Sequence, residues 1–232
     1  DLPRAVEAVR NAGLVADRVT TAITDPDDPA TERILDAAAN GGIRICRLGW
    51  LKYDRDRPLP AQIDAFRPRM ERLARLLERY GVHGAYQNHA GTGVGSPVWD
   101  AWLLVRDLDP RWLGIRYDVR HAVAEGSRSW ELGLRLLAPH IRSRDIQEFR
   151  WVEHGAGDWG VESVPLGQGA VPFENYFELL ETSGVTGDMT LHFEYPLGGA
   201  DKGKTRLSLP AEQVIIAMHR DLDWLRQKLP SD

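Results

Sequence analysis

The stretch LGIRYDVRH, residues 113–121, decides the fold class. It begins with apolar side chains at alternating positions and ends in Asp118, with His121 three residues further on. An apolar run that ends in an acid and a histidine is typical of a parallel strand that delivers side chains to a pocket at its carboxyl end. The stretch therefore predicts a buried strand with functional side chains where it stops.

Three other stretches show the same design, with polar side chains near the end of an apolar run. They are HGAYQNHAG with Gln87, Asn88 and His89, IRSRDIQEF with Asp145, and MTLHFEYP with Glu194. Each is followed by a predicted helix. Because the carboxyl ends of parallel strands meet at one face of a sheet, we expect these side chains to share one site.

Predicted helices and strands alternate along the chain, as one helix followed by six strand–helix units. Strict alternation predicts an α/β protein with a parallel sheet covered by helices, and residues 1–232 form a single predicted domain. Acids at several strand ends favour a (β/α)8 barrel. The rival is a doubly wound open sheet, but no Gly-rich phosphate-binding fingerprint follows the first strand.

Six units fall short of the eight of a closed barrel, and an open barrel would expose two edge strands. The sequence also begins with Asp1 and not with Met. We therefore expect the first two strands of the barrel and the helix between them, β1-α1-β2, to be missing from this chain.

Two predicted loops at strand ends carry aromatic side chains. Residues 49–60 hold Trp50 and Tyr53, which together with Arg47 and His89 are candidates for binding a sugar by stacking and hydrogen bonding. Residues 151–168 hold Trp151 and Trp159, which are candidates for a substrate lid. The structural alternative is that these aromatic side chains only cover the mouth of the barrel.

The composition excludes several classes of protein. The 232 residues carry a formal net charge of −5, whereas nucleic-acid surfaces are usually strongly basic, so no nucleic-acid partner is expected. The single cysteine, Cys46, excludes an internal disulfide and favours a reducing compartment, so a cytoplasmic protein is expected. No apolar run approaches the roughly 20 residues of a membrane span, so no membrane partner is expected.

Four features in a fixed order carry a family resemblance: the strand end QNH, the D-x-x-H of residues 118–121, the segment PLGQGAVPF and the strand end FEYP. With them the chain resembles the xylose isomerase-like TIM-barrel superfamily, which includes sugar phosphate isomerases and epimerases and the family 2 AP endonucleases. The resemblance covers nearly the whole chain. It implies an enzyme of carbohydrate metabolism that abstracts a proton next to the carbonyl of a sugar or keto-sugar, and such barrels often form homo-oligomers.

The resemblance also implies a set of site residues. Epimerase-like members hold one divalent ion with Glu, Asp, His and Glu from the last four strands, and these positions fall here on Gln87, Asp118, Asp145 and Glu194. Gln87 stands where the family usually has Glu, and Asp145 where it usually has His. His121 matches a substrate-contacting histidine, and Glu194 is expected to act also as the catalytic base.

The departures from the family pattern change the expected chemistry. Gln87 cannot exchange a proton, so an epimerisation by two glutamates is in doubt. An all-oxygen ligand set favours a hard ion, Mg²⁺ or Mn²⁺, over zinc. The His-rich zinc cluster of the nuclease members is not found.

Two alternatives stay open beside the isomerase or epimerase. A lyase acting on a 3-keto sugar needs one base and no exchangeable pair. A non-catalytic carbohydrate-binding barrel with a degenerate metal site would explain the lost Glu and His. The acids also have a structural interpretation, in which Asp118 pairs with Arg116, Arg120 or Arg142, and Asp145 with Arg142 or Arg144.

Overall fold

The computed structural model describes residues 2–229. Its helices are α1 (Leu2–Asn11), α2 (Pro29–Asn40), α3 (Leu59–Tyr80), α4 (Val98–Val105), α5 (Val119–Gly126), α6 (Trp130–Leu137), α7 (Phe173–Thr182) and α8 (Ala211–Lys228). Its strands are β1 (Arg18–Thr20), β2 (Ile45–Arg47), β3 (His83–Gln87), β4 (Leu113–Asp118), β5 (Ile141–Ile146), β6 (Glu148–Gly155), β7 (Asp158–Val164) and β8 (Met189–Leu191).

Six strands form one parallel sheet in the order β1-β2-β3-β4-β5-β8. Every residue of β4 is buried, as the stretch at residues 113–121 predicts. The helices pack on the sheet, so the predicted α/β class with a helix-covered parallel sheet is confirmed. Within residues 2–229, no helix combines the length and the apolarity that crossing a membrane requires.

The packing of α3 on the sheet is close. Gly81, in the left-handed conformation, ends this 22-residue helix. A Cβ on Gly84 of β3 would lie 2.4 Å from Leu77 Cδ1, so glycine lets the buried Leu77 side chain pack directly on the strand. Leu77 and Leu73 are fully buried there, and burying each contributes on the order of 1.5–3 kcal/mol.

The prediction of a loop over residues 151–168 was wrong for most of that segment. Strands β6 and β7 pair there as an antiparallel hairpin, outside the parallel sheet. Gly155, Ala156 and Gly157 all have positive φ and form its turn. Trp151 and Trp159 lie on this hairpin and are both exposed. The alternation of aromatic or β-branched residues with polar residues was the signal for strands.

A register shift aligns the two predicted acids. Ile115 lies opposite Ile141, but Arg116 lies opposite Ser143, so β5 carries one extra residue at this point. Asp118 is consequently opposite Asp145, at the carboxyl end of both strands. Side chains of paired residues point to the same face of a sheet, so the two carboxylates lie side by side.

Candidate active site

Asp118 stands at the junction of β4 and α5 and is fully buried. Its Oδ1 accepts a hydrogen bond from the backbone N–H of His121 at 3.1 Å, which makes Asp118 the N-cap of α5. The D-x-x-H spacing therefore has a structural cause as well as a functional interpretation. The second oxygen, Oδ2, accepts from the side-chain amides of Gln87 at 3.1 Å and Gln147 at 2.6 Å.

The environment of Asp118 disfavours its charged form. Burial raises the pKa of this carboxyl group well above its ordinary value, and the nearby charge of Asp145 raises it further. Asn88 stabilises the backbone here, since its side chain accepts from the N–H of Asp118 and donates to its carbonyl oxygen. Asp118 thus has a fixed orientation, and burial raises the pKa of its carboxyl group while three N–H donors oppose that shift.

Asp145 is also fully buried, and an arginine neutralises it. The Nε of Arg116 donates to both of its oxygens, at 2.7 and 2.6 Å, and Gln87 Nε2 donates to Oδ2 at 2.7 Å. The partner is not Arg142 or Arg144, which the structural interpretation of the sequence named. Those side chains donate to the carbonyl oxygens of Ile141 and Gly187.

His192 joins the two acids just beyond β8. Asp118, Asp145 and His192 each offer a ligand atom, and these atoms lie within 4.8 Å of one another, which makes them a candidate metal-binding group. The Nε2 of His192 is 2.9 Å from an Nη of Arg116 and 3.3 Å from Asp145 Oδ1. Burial lowers the pKa of His192, and the charge of Asp145 opposes this shift.

Glu194 lies at the edge of this cluster. Its side chain is 42% exposed, and its Oε1 is 3.8 Å from His192 Nδ1. It is not a member of the three-residue group, in which His192 takes the position that the sequence assigned to Glu194. The catalytic and metal-binding roles of Glu194 stay predictions.

His121 lies beside Asp118, with Nε2 3.6 Å from Asp118 Oδ2. Burial lowers the pKa of His121 to about 2, so the ring is neutral near pH 7. Its Nδ1 accepts from Arg120 at 2.9 Å, which leaves the ring proton on Nε2, facing Asp118. His121 is therefore suited to orient an oxygen of a ligand rather than to protonate it.

A column of stacked side chains connects His121 with the surface. The ring of His89 packs on His121 with 4.1 Å between centroids and on Trp50 with 4.6 Å. The guanidinium of Arg47 lies 4.2 Å over the Trp50 ring, a cation–π contact. Trp50 is 39% exposed, so the column runs from solvent to the buried acids.

A cavity of about 340 Å³ adjoins this column, and its lining includes Trp50, Lys52, Tyr53, His89 and Thr92. That volume is within the range of small-molecule sites. The hydroxyl of Tyr53 donates to Asp100 at 2.6 Å, which fixes the ring in the wall. Trp151 does not line this cavity and instead packs edge-on against Phe149 of the hairpin.

Sequence reasoning overlooked Gln147, and it named Arg116 only as a possible partner of Asp118, whereas the structure pairs Arg116 with Asp145. Arg116 is two residues before Asp118, and Gln147 is two residues after Asp145. Alternate residues of a strand share a face, so spacing alone places both with the acids. Among the described residues, Gln147 Oε1 and His192 Nδ1 are buried polar atoms with no hydrogen-bond partner.

The arrangement of the cluster does not fit a divalent ion. A metal ion would have to displace N–H donors, because Arg116 donates to Asp145 and to His192 Nε2, while Gln87 and Gln147 donate to Asp118 Oδ2. The permanent positive charge of Arg116 also repels a second cation. The three-residue group has the spacing of a metal site, but hydrogen-bond donors already occupy it.

Three solved structures are similar to this chain over nearly its full length. The IOLI protein with a bound zinc atom matches with a TM-score of 0.71 and 16% identity, over 100% of this chain and 84% of that chain. D-psicose 3-epimerase with D-tagatose, from Clostridium cellulolyticum H10, matches with a TM-score of 0.69 and 11% identity, over 99% and 84%. A xylose isomerase-like TIM barrel protein from Mycobacterium smegmatis in complex with magnesium matches with a TM-score of 0.61 and 17% identity, over 93% and 77%.

These identities are low, so the likeness shows the fold. Among proteins with curated descriptions, none matches the chain. The sequence pattern of the family described as xylose isomerase-like TIM barrel matches residues 25–227, which is most of the chain. The parallel sheet, the acids at its carboxyl edge and this match agree, and the chain belongs to the xylose isomerase-like TIM barrel family.

Proposed function

We propose that this protein is a sugar isomerase-like enzyme that abstracts a proton next to the carbonyl of a sugar or keto-sugar. The observation that carries the proposal is the convergence of Asp118, Asp145 and His192 at the carboxyl ends of three strands. The column of His121, His89 and Trp50 connects this cluster with a cavity of about 340 Å³. Family membership and the epimerases among the similar structures support it.

Glu194 is the base in this proposal. Its carboxylate is partly exposed, so a substrate can reach it, whereas Asp118 and Asp145 are fully buried. Removing a proton next to a carbonyl leaves negative charge on the carbonyl oxygen, which needs positively charged or N–H donors. His192, 3.8 Å from Glu194, and Arg47, whose charge acts on His192, are the donors assigned to that oxygen.

Because Glu194 is the one accessible base in this proposal, reactions that need a single base are favoured. An aldose–ketose isomerisation can use one base to remove a proton and to return a proton to the neighbouring carbon on the same face. In a β-elimination from a 3-keto sugar, one base removes the proton while the bond from the β carbon to the leaving oxygen breaks, and that oxygen leaves with a proton from solvent. An epimerisation needs a second group on the opposite face. Gln87 occupies the position where the family pattern places that acid, and an amide cannot exchange a proton.

The predicted Mg²⁺ or Mn²⁺ cofactor has no step in this proposal, because Arg116 and the two glutamines already engage the lone pairs of the cluster. The cofactor stays a prediction, and ion titration tests it directly.

Hydrogen–deuterium exchange tests the proposal more sensitively than product formation. The protein is incubated in D₂O with a panel of aldoses, ketoses and 3-keto sugars, and proton NMR follows loss of the signal next to the carbonyl. We expect exchange with at least one sugar, reduced by roughly 100-fold or more in Glu194→Gln because a catalytic base is removed. Glu212→Gln, on exposed α8, is the matched control and should leave exchange unchanged. Exchange that survives in Glu194→Gln would remove Glu194 as the base.

A second candidate function rests on the filled hydrogen bonding of the acids. A barrel that only binds a carbohydrate would retain the cavity and the aromatic column but no reactive carboxylate. It predicts sugar binding by calorimetry, no exchange with any sugar, and the same affinity in Glu194→Gln. This combination of results would select the binding protein over the enzyme.

A further inference from the structure

Arg116 lies at the centre of the cluster, although the family pattern assigns it no role. Its side chain is 10% exposed, and it contacts both oxygens of Asp145 and the Nε2 of His192. We propose that the guanidinium of Arg116 is the resident cation of this site and takes the place of a divalent metal ion. The inference concerns the site of the proposed function, but its test does not depend on turnover.

N–H groups contact the carboxylate oxygens of both acids, at the positions where a bound metal ion would otherwise contact them. Asp145 accepts from Arg116 and Gln87, and Asp118 accepts from Gln87, Gln147 and the backbone of His121. Gln87 donates to both acids from one nitrogen. A glutamate at that position would instead bring a third carboxylate against them and would require a cation to hold it there.

The imidazole gives an independent argument. An arginine side chain donates hydrogen bonds and cannot accept them, so His192 Nε2 must accept from Arg116. The proton of the neutral ring is then on Nδ1, which faces Asp118 Oδ2 at 3.9 Å and Glu194 Oε1 at 3.8 Å. Neither ring nitrogen offers a free lone pair, which a metal ligand requires.

The charge of Arg116 also acts on Arg47, a candidate sugar-binding side chain. Burial lowers the pKa of Arg47, and repulsion from the charge of Arg116 lowers it further. An anionic oxygen between them would relieve that repulsion. The two arginines are therefore suited to stabilise an enediolate oxygen without a metal ion.

Manganese titration followed by electron paramagnetic resonance tests the inference. Chelator-treated wild-type protein is expected to bind Mn²⁺ only weakly, and Arg116→Met should bind it at least about tenfold more tightly, because a repelling charge is removed and two ligands are freed. Arg47→Met is the matched control. It removes a neighbouring charge without freeing a ligand, so its Mn²⁺ affinity should rise by less than about threefold.

A stoichiometric ion that survives chelation of the wild type, with an affinity that Arg116→Met does not raise, would overturn the inference. If Arg116→Met does not fold by circular dichroism, the tautomer of His192 decides instead. Long-range ¹H–¹⁵N correlation spectra of the wild type should show the Nδ1-protonated ring. An Nε2-protonated ring would contradict the inference.

The outcomes separate this inference from the proposed function. A protein that exchanges sugar protons but binds Mn²⁺ tightly retains the function and loses the inference. A protein that binds no ion and exchanges no sugar retains the inference and loses the function.

Discussion

Asp118 and Asp145 lie opposite each other at the ends of two neighbouring strands and share one hydrogen-bond donor, the side-chain nitrogen of Gln87. The distances from that nitrogen are 3.1 Å to Asp118 and 2.7 Å to Asp145. Both acids are fully buried. A neutral amide therefore bridges two carboxyl groups that would otherwise repel each other.

We expect Gln87→Glu to destabilise the protein, because it removes both N–H donors and adds a third buried acid. Leaving buried acceptors unpaired and adding an unpaired charge should lower the free energy of unfolding by about 2–5 kcal/mol. Urea denaturation measures it, with exposed Gln168→Glu as the control. Added Mn²⁺ should restore part of the loss. A change as small as that of the control would show that the bridge is not important for stability.

His121 should make the protein sensitive to acid. Its folded pKa is lowered from 6.5 to about 2, so the unfolded chain binds the proton more readily than the folded chain. The free energy of unfolding is therefore highest above pH 6.5, where His121 is neutral in both states. It falls as the pH drops below 6.5, by at most about 1.4 kcal/mol per pH unit.

Urea denaturation between pH 7.5 and pH 4.5, a range chosen around the ordinary histidine pKa of about 6.5, measures this effect. The decline should be steeper in the wild type than in His121→Gln, which cannot titrate. Exposed His219→Gln serves as the control and should follow the wild type. Parallel curves for wild type and His121→Gln would contradict the lowered pKa.

Glu148 connects the hairpin to the segment before α7. It accepts from the backbone N–H groups of Phe149 at 3.0 Å and Val171 at 2.9 Å, and burial raises its pKa to about 6. Glu148→Ala should lower the free energy of unfolding by about 1–3 kcal/mol, because buried donors lose their acceptor.

Glu148→Gln retains an acceptor and should cost less than Glu148→Ala near pH 7. Because the folded pKa of Glu148 is raised, the wild type should lose stability relative to this variant as the pH rises from about 4.5 to about 6. Chemical denaturation at both pH values checks the sign. A relative gain of the wild type over that range would show that the pKa of Glu148 is not raised.

Trp50 should contribute to sugar binding by stacking. It lines the cavity and is held between Arg47 and His89. Trp50→Ala should weaken binding of a sugar ligand by roughly 5- to 10-fold, since an aromatic contact contributes on the order of 1 kcal/mol beyond burial. Calorimetry measures it, and exposed Trp99→Ala on α4 should bind as the wild type does. Equal affinity in Trp50→Ala would mean that the ring only covers the mouth of the barrel.

The sequence contained enough to predict the parallel sheet, because apolar runs alternated with amphipathic helices along the whole chain. It also placed Asp118, Asp145 and Gln87 at strand ends, since an acid that follows a buried run must lie near the edge of the sheet. The hairpin over residues 148–164 was overlooked, because its strands are outside the alternation of strand and helix that organised the prediction.

Local sequence determined which side chains reach the carboxyl edge of the sheet, because successive side chains of a strand point alternately to its two faces. Only the tertiary structure decided which of them meet. The extra residue in β5 puts Asp145 opposite Asp118, where an unshifted register would put Arg144 there. A shift of one residue exchanges the two faces of a strand, and no pattern within a single strand reveals the register of its neighbour. The pairing of Arg116 with Asp145 and His192 follows from that register, and with it the charge of the site.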